Sequence, residues 1–486
     1  MYKNTRGRPG AVLAAASVAQ FLFAMDMALM NVALPDLRAS LGFSPVDLSW
    51  VVHAYALTFG GFLLLGGRLC DLYGRRRLFV SGLAAFALFS LLGGLAQAPW
   101  QLVAARAGQG AAAAAAAPAA LALITTTFPQ GRERVRALGV WSAMNAAGGA
   151  LGVLAGGVLT EYAGWRWVML VNLPIVAAAL ALVPAGVTAD ARDGRRERLD
   201  VLGAVLATGG TGLLVFGVVR TDVAGWASPA TLGTLAAAAA LLAGFAVAEA
   251  RTASPLVRLG LLRSRWTAGA NVIVFLAAAG QFAAFYFVSL YMQEVLGMGA
   301  AATGAAFLPF TVGVVAGTVV ATRVGAARSP RAALLPGTLL AAAGLGWFSL
   351  IGPDGGFAAD VLGPSVLTSV GLGLVLAPVA AAATTGVAPH EAGTASGLLN
   401  SSRQLGGCVG LAALATVAAR HTADPASPAS VADGYATGLA VGAVLFLVAA
   451  AVALTLPSTR RPERPIRQNG QNSAGFRTQK RDKSTT

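Results

Sequence analysis

Apolar runs of about twenty residues recur fourteen times, near residues 11–34, 48–67, 78–97, 101–126, 138–159, 168–187, 201–219, 230–248, 267–291, 303–322, 332–351, 360–381, 396–418 and 436–456. Each is close to the roughly 20 residues an α-helix needs to cross a hydrocarbon core about 30 Å thick. Backbone N–H and C=O groups in lipid must bond within their own segment, so such runs become helices. The chain is 56% hydrophobic and 11% charged, against roughly a quarter charged in a soluble domain. Folded in water, it would leave apolar surface with nothing to cover it. The expected fold class is an all-α polytopic membrane protein.

The charges between the runs orient it. With the N-terminus inside, the inner segments hold 30 of the 35 Lys and Arg residues, Arg403 counted among them. The outer segments hold Arg38, Arg166, Arg220 and Arg420, and Arg106 lies within the fourth run. This asymmetry matches the positive-inside rule with both termini in the cytosol, as expected of a multi-pass protein of a cytoplasmic membrane. The net charge of +15 is therefore topological and implies no nucleic-acid partner. Ala11–Leu34 is too long for a signal-peptide core, carries Asp26 and ends at Pro35 without a small-residue cleavage site, so it reads as a retained first span. Cys70 and Cys408 stand in apolar surroundings and form no disulfide or metal pattern. Neither a GxxxxGK[ST] loop nor an HExxH helix occurs. No cofactor or metal is expected, and a pump of this kind would run on an ion gradient.

Residues 136–152 match residues 394–410 at an offset of 258, with five small residues in register: Ala137/Ala395, Gly139/Gly397, Gly148/Gly406, Gly149/Gly407 and Gly152/Gly410. Arg68/Arg323 and Pro118/Pro378 fall at 255 and 260. An offset spanning eight runs preserves orientation, so the expected layout is two parallel six-helix halves with two helices between them, as in secondary transporters with a midplane site. The divisions expected are 1–187 for the first bundle, 188–251 for the linker and two inserted helices, 252–456 for the second bundle and 457–486 for a basic, disordered tail.

The string from Gly67 to Arg77 (GRLCDLYGRRR) resembles the loop 2–3 signature of the major facilitator superfamily. Residues 26–35 (DMALMNVALP), 106–118 (RAGQGAAAAAAAP), 165–174 (WRWVMLVNLP), 291–297 (YMQEVLG) and 391–407 (EAGTASGLLNSSRQLGG) resemble motifs of its fourteen-helix drug–proton antiporter branch. The resemblance implies the major facilitator fold, two pseudo-symmetric six-helix bundles plus two extra helices, and a proton-coupled exporter rather than an enzyme. Val153 stands where the branch's antiporter motif usually has proline, which weakens the inference of export.

The residues support particular roles. Asp26 lies about fifteen residues into the first run, some 22 Å from its inner end. A carboxylate there is costly to keep charged, which suits proton exchange or a structural acid held by a donor; the resemblance favours the proton. Arg106 either snorkels to the interface or is held inward on the face it shares with Gln109, where it would tune Asp26. Arg75, Arg76 and Arg77 could be membrane anchors, but Asp71 among arginines, with Gly67, Arg68 and Gly74, suits a charge lock that breaks as the halves rock. Gly148, Gly149, Gly152, Gly156 and Gly157 form a small-residue face, for close packing or for the antiporter motif. Asn31, Gln109, Asn145, Gln281 and Tyr286 are candidates to line a substrate cavity, and His53 is the reserve proton site.

The expected function is proton-driven export of amphipathic drugs or antibiotics by a monomer, its partners being protons, lipid and a neutral, zwitterionic or singly charged substrate. A proton symporter importing a metabolite and a non-transporting sensor are the rivals.

Overall fold

The computed structural model describes residues 8–44, 47–128, 132–186, 201–252, 259–327, 329–387 and 392–457. Its elements are α1 (Pro9–Leu41), α2 (Trp50–Tyr73), α3 (Arg75–Gly94), α4 (Pro99–Thr127), α5 (Arg132–Ala163), α6 (Arg166–Leu170), α7 (Asn172–Gly186), α8 (Val201–Ala224), α9 (Pro229–Arg251), α10 (Arg265–Leu290), α11 (Ala300–Ala306), α12 (Leu308–Ala327), α13 (Arg331–Phe348), α14 (Gly363–Ala383), α15 (Ala392–His421) and α16 (Pro428–Thr455). Every apolar run coincides with a helix or with two abutting ones. Eleven segments among the described residues are long and apolar enough to cross a membrane.

Local chemistry sets the starts and breaks. Proline opens α1, α4, α9 and α16, where its missing N–H costs no helical bond. Pro174 cannot donate back to Leu170, and Pro309 cannot donate to Ala305. Those two losses separate α6 from α7 at Val171 and α11 from α12 at Phe307. Wide π-turns extend α10 through Tyr291–Val295 and lead into α14 from Phe357.

The first half packs α1 on α5, α2 and α3 on α4, and α1 on α7; the second packs α10 on α15 and α16, and α14 on α12 and α13. The glycine faces show why the duplication is written in small residues. Gly148, Gly152 and Gly156 of α5 press on the carbonyls of Phe21, Met25 and Leu29 of α1, leaving no space for a side chain. Gly406 of α15 sits the same way on the Phe275 carbonyl of α10, and Gly410 presses on the Ala279 methyl and Cα. Gly157 presses instead on Ala300 of the other half, whereas Gly149 meets open space and plays no packing role. The inserted helices α8 and α9 pair with each other, and α8 lies against α2 and α15.

Two expectations need correction. The stretch read as loop 2–3 is mostly helix: α2 runs on to Tyr73, so Gly67, Arg68 and Asp71 lie in its last turns. The helix continues past the apolar run because its backbone bonds do not depend on lipid. Gly74, at φ 95°, ends it and starts α3 at once, a conformation that favours glycine. The side chains of Arg68 and Asp71 lie outside the described residues, and Arg75 and Arg76 are half-buried. Arg403, counted with the inner segments, is the twelfth residue of α15.

Candidate functional site

Asp26 and Arg106 meet in the core of the first half, 0% and 1% exposed. Arg106 Nη1 donates to Asp26 Oδ2 at 2.6 Å and to Gln109 Oε1 at 2.8 Å, while its Nε donates to the Val51 carbonyl at 3.1 Å. Its guanidinium carbon stands 4.5 Å from the centre of the Tyr55 ring, a cation–π contact in a site stripped of water. Position i+3 on α4 gives Gln109 the same face, as the helical period requires.

Two further residues complete the cluster. Asp26 Oδ1 accepts from Asn172 Nδ2 at 2.7 Å and from Gln109 Nε2 at 3.2 Å. Ser90 of α3 accepts from Gln109 Nε2 at 2.7 Å and from Asn172 Nδ2 at 3.4 Å. Asn172 arrives through the break before α7. Arg166 stacks 4.5 Å from the Trp165 ring and donates to the Ala96 carbonyl at 3.1 Å, which fixes the turn that aims Asn172 inward. The snorkelling alternative for Arg106 is thereby excluded. A carboxylate with three donors, one of them charged, is held in place yet can exchange the guanidinium for a proton when the donors shift.

The other candidates are spread more widely. Asn145 Oδ1 accepts from Gln20 Nε2 at 2.6 Å at an exposed position. Gln281 is half-buried, and Tyr286 is packed in the core with its ring 5.6 Å from that of Phe287. His53 is buried, makes no side-chain hydrogen bond among the described residues, and has its ring 5.8 Å from that of Trp50.

Asn31 belongs to a seam between the halves that sequence reading did not foresee. Pro35 cannot donate to the Asn31 carbonyl, which instead accepts from Ser289 Oγ of α10 at 2.9 Å. Nearby, Arg38 Nη1 donates to Glu294 Oε1 at 3.0 Å, Tyr435 Oη donates to Glu294 Oε2 at 2.7 Å, and Gln293 Nε2 donates to the Val32 carbonyl at 3.2 Å. Glu161 accepts from the Ala301 N–H at 2.8 Å. The halves are thus fastened at the Arg38 end. The other described hydrogen bonds between them, Ser401 Oγ to the Gly60 carbonyl at 3.3 Å and Cys408 Sγ to the His53 carbonyl at 3.9 Å, join α2 and α15.

The sequence model of the Major Facilitator Superfamily matches residues 16–411. The chain belongs to this superfamily. Its members are transporters, not enzymes, and the chain is a multi-pass membrane protein of that class. It is 44% identical to a cephamycin export protein of Amycolatopsis lactamdurans, over 93% of each chain. It is 39% identical to a puromycin resistance protein of Streptomyces alboniger, over 91% of this chain and 90% of that one. A tetracenomycin C resistance and export protein of Streptomyces glaucescens is 36% identical over 86% of this chain and 78% of its own length. Among solved structures, a bacterial homologue of the human lysosomal transporter Spinster, inward-facing and unoccupied, superposes with a TM-score of 0.63 at 16% identity, covering 93% of this chain and 97% of its own. That likeness concerns the fold.

The seam carries a prediction. The side chains of Arg38 and Glu294 are 36% and 23% exposed, so their pair is worth at most about 1 kcal/mol, or roughly fivefold in a conformational equilibrium. Glu294→Gln should raise thiol labelling, from the Arg38 side, of a cysteine placed at Ser289 in a chain lacking Cys70 and Cys408, by up to about that factor. Combining Arg38→Glu with Glu294→Arg should bring labelling back down. Labelling indifferent to both changes would make the contact incidental.

Proposed function

We propose that this transporter exports amphipathic drugs or antibiotics in exchange for protons, by alternating access across the cytoplasmic membrane. The observation that carries the reading is the buried Asp26–Arg106 pair. A membrane pump has little reason to hold a carboxylate at such depth unless the proton comes and goes. The names of its relatives, three of them export or resistance proteins, support the outward direction despite Val153. Asp26 takes the proton, Arg106 is displaced when it does, and Gln109, Asn172 and Ser90 hold the carboxyl in both states. Protonation and substrate binding exclude one another, which gives antiport. The conformation fastened at the Arg38 end is the inward-open one, and the Gly67–Arg76 cluster at the opposite end holds the alternative. The protein acts as a monomer.

Fourteen spans are proposed, the eleven above with α2, α8 and α15. At 1.5 Å per residue their 24, 24 and 30 residues reach about 36, 36 and 45 Å, more than the hydrocarbon core. They divide into bundles at 1–187 and 252–456 around the inserted pair at 188–251, with the tail 457–486 cytosolic; residues 188–200, 253–258 and 458–486 lie outside the described residues. Reporter fusions at Thr486 and within 189–200 should read cytosol, and a fusion within 424–433 should read the outside. An external reading at Thr486 would overturn the count.

The test of function uses inside-out vesicles energised by respiration. Puromycin or cephamycin should accumulate in vesicles containing the protein and leak away on adding an uncoupler. Accumulation that survives the uncoupler, or none with either drug, would count against the reading.

A further inference from the structure

Arg403 carries a guanidinium inside a proposed spanning helix with no partner among the described residues. It is the twelfth residue of α15, about 17 Å from the helix start, is half-buried, and among the described residues makes no hydrogen bond or ion pair. A charge at such depth is held by a counterion or by a water-filled cleft that admits one.

The duplication explains the missing partner. Gly148 of α5 presses on Phe21 of α1 as Gly406 of α15 presses on Phe275 of α10; Gly152 on Met25 repeats as Gly410 on Ala279. The glycines are 258 residues apart and the residues they touch 254. The same two offsets carry Asn145 onto Arg403 and Gln20 onto Val274. In the first half Gln20 bonds Asn145. In the second the counterpart of Gln20 is a valine, and Asn271 of α10 bonds Ser402 and the Thr267 carbonyl rather than Arg403. Asn145 is exposed and Gln20 half-buried, so this pair is open to a ligand, and half-buried Arg403 is its counterpart in the second half. Half-buried Phe282, packed on Gly407 one turn along α15, supplies an apolar wall beside the charge.

We propose that Arg403 binds the carboxylate of anionic amphipathic substrates. A guanidinium offers two parallel N–H donors that match a carboxylate, and the apolar body has Phe282 to lie on. The proposal rests on Arg403 lining the substrate path of the exporter proposed above, and it adds a charge preference that the Asp26 cluster does not supply.

The test is equilibrium binding, without any gradient, by full-length protein in phosphatidylcholine nanodiscs. Dansylglycine, an aromatic monocarboxylate, should bind about tenfold or more tighter than dansylglycinamide. Arg403→Gln should remove that preference while leaving the amide's affinity unchanged, and Arg403→Lys, a point charge without the fork, should keep part of it. Should the Gln variant fail to fold, a reduced preference in the Lys variant carries the same meaning. Asp26→Asn should keep the preference, so a failure of proton coupling is separable from a failure here. Equal binding of the two probes, binding of neither, or a preference that survives Arg403→Gln overturns the proposal. So does a preference abolished by anionic phosphatidylglycerol in the disc, which would identify a lipid headgroup as the occupant.

Discussion

Asp26→Asn should fold, insert and bind drug, yet release no protons when drug is added and drive no uphill efflux. The hydrogen-bond geometry explains why the change is tolerated. Asp26 Oδ2 accepts from Arg106, and Oδ1 accepts from Asn172 and Gln109. An asparagine can keep its oxygen toward Arg106 and turn its NH2 toward the other two. That would set donor against donor, except that the Asn172 amide can turn over. Its Oδ1 has no hydrogen-bond partner among the described residues, so the flip gives up the 3.4 Å bond to Ser90 and offers an acceptor, while Gln109 Nε2 keeps its 2.7 Å bond to Ser90. The variant also removes a charge that costs about 2.5–3.5 kcal/mol to place at mid-membrane. What it cannot do is titrate. If protons and drug compete for one state, drug affinity of the parent protein falls as pH is lowered, because the protonated form rejects drug. The affinity of Asp26→Asn should be flat across the same range. Proton release on drug addition to Asp26→Asn proteoliposomes would place coupling elsewhere, and His53, buried with no side-chain hydrogen bond among the described residues, would be the next residue to replace.

How far this cluster can be read from sequence depends on whether its members share an element. Asp26 and Arg106 declare themselves as charges in apolar runs, and Gln109 follows from helical period. Ser90 and Asn172 sit on α3 and α7, and neither polar side chain has a periodic partner to announce it. Asn172 does fall inside the WRWVMLVNLP string, and Pro174 there was a readable sign of a break, but the break's consequence, an amide aimed at Asp26, needs tertiary contact. The apolar runs located the helices because length and hydropathy are local properties. The boundary at residues 67–74 went astray because a helix leaving the membrane keeps its backbone bonds and only its side chains change character. The glycine register was legible as a repeat, while its partners on α1 and α10 were not, since a glycine names no neighbour. Arg403 falls in with the inner segments because a charge count is silent about depth. The seam at Arg38 and Glu294 joins residues 256 apart, and nothing in either local sequence links them.

Arg106→Gln should be the more damaging change, and the order of damage discriminates between roles. Arg106 is tied at four points: Asp26, Gln109, the Val51 carbonyl and the Tyr55 ring. Removing one member of a buried ion pair typically costs about 3–5 kcal/mol, because the other charge is stranded rather than because the pair was worth that much. Arg106→Gln leaves the Asp26 carboxyl with two amide donors and no cation, so it must take a proton or remain charged in a dry site. Either outcome stops the cycle: a carboxyl that cannot shed its proton leaves drug no competent state. The double variant Asp26→Asn/Arg106→Gln strands nothing. It should therefore melt at a higher temperature than Arg106→Gln alone, although it lacks one more native group, and it should still release no protons. Arg106→Lys keeps the charge but neither the two-point hold on Asp26 and Gln109 nor the flat stack on Tyr55, so stability should lie between the parent and Arg106→Gln, with weak coupled efflux. Melting curves by tryptophan fluorescence, read beside proton release in the parent, the three single variants and the double variant, decide the matter. If the double variant is less stable than the parent by the sum of the two single losses, the residues act independently and the pair is not the coupling element.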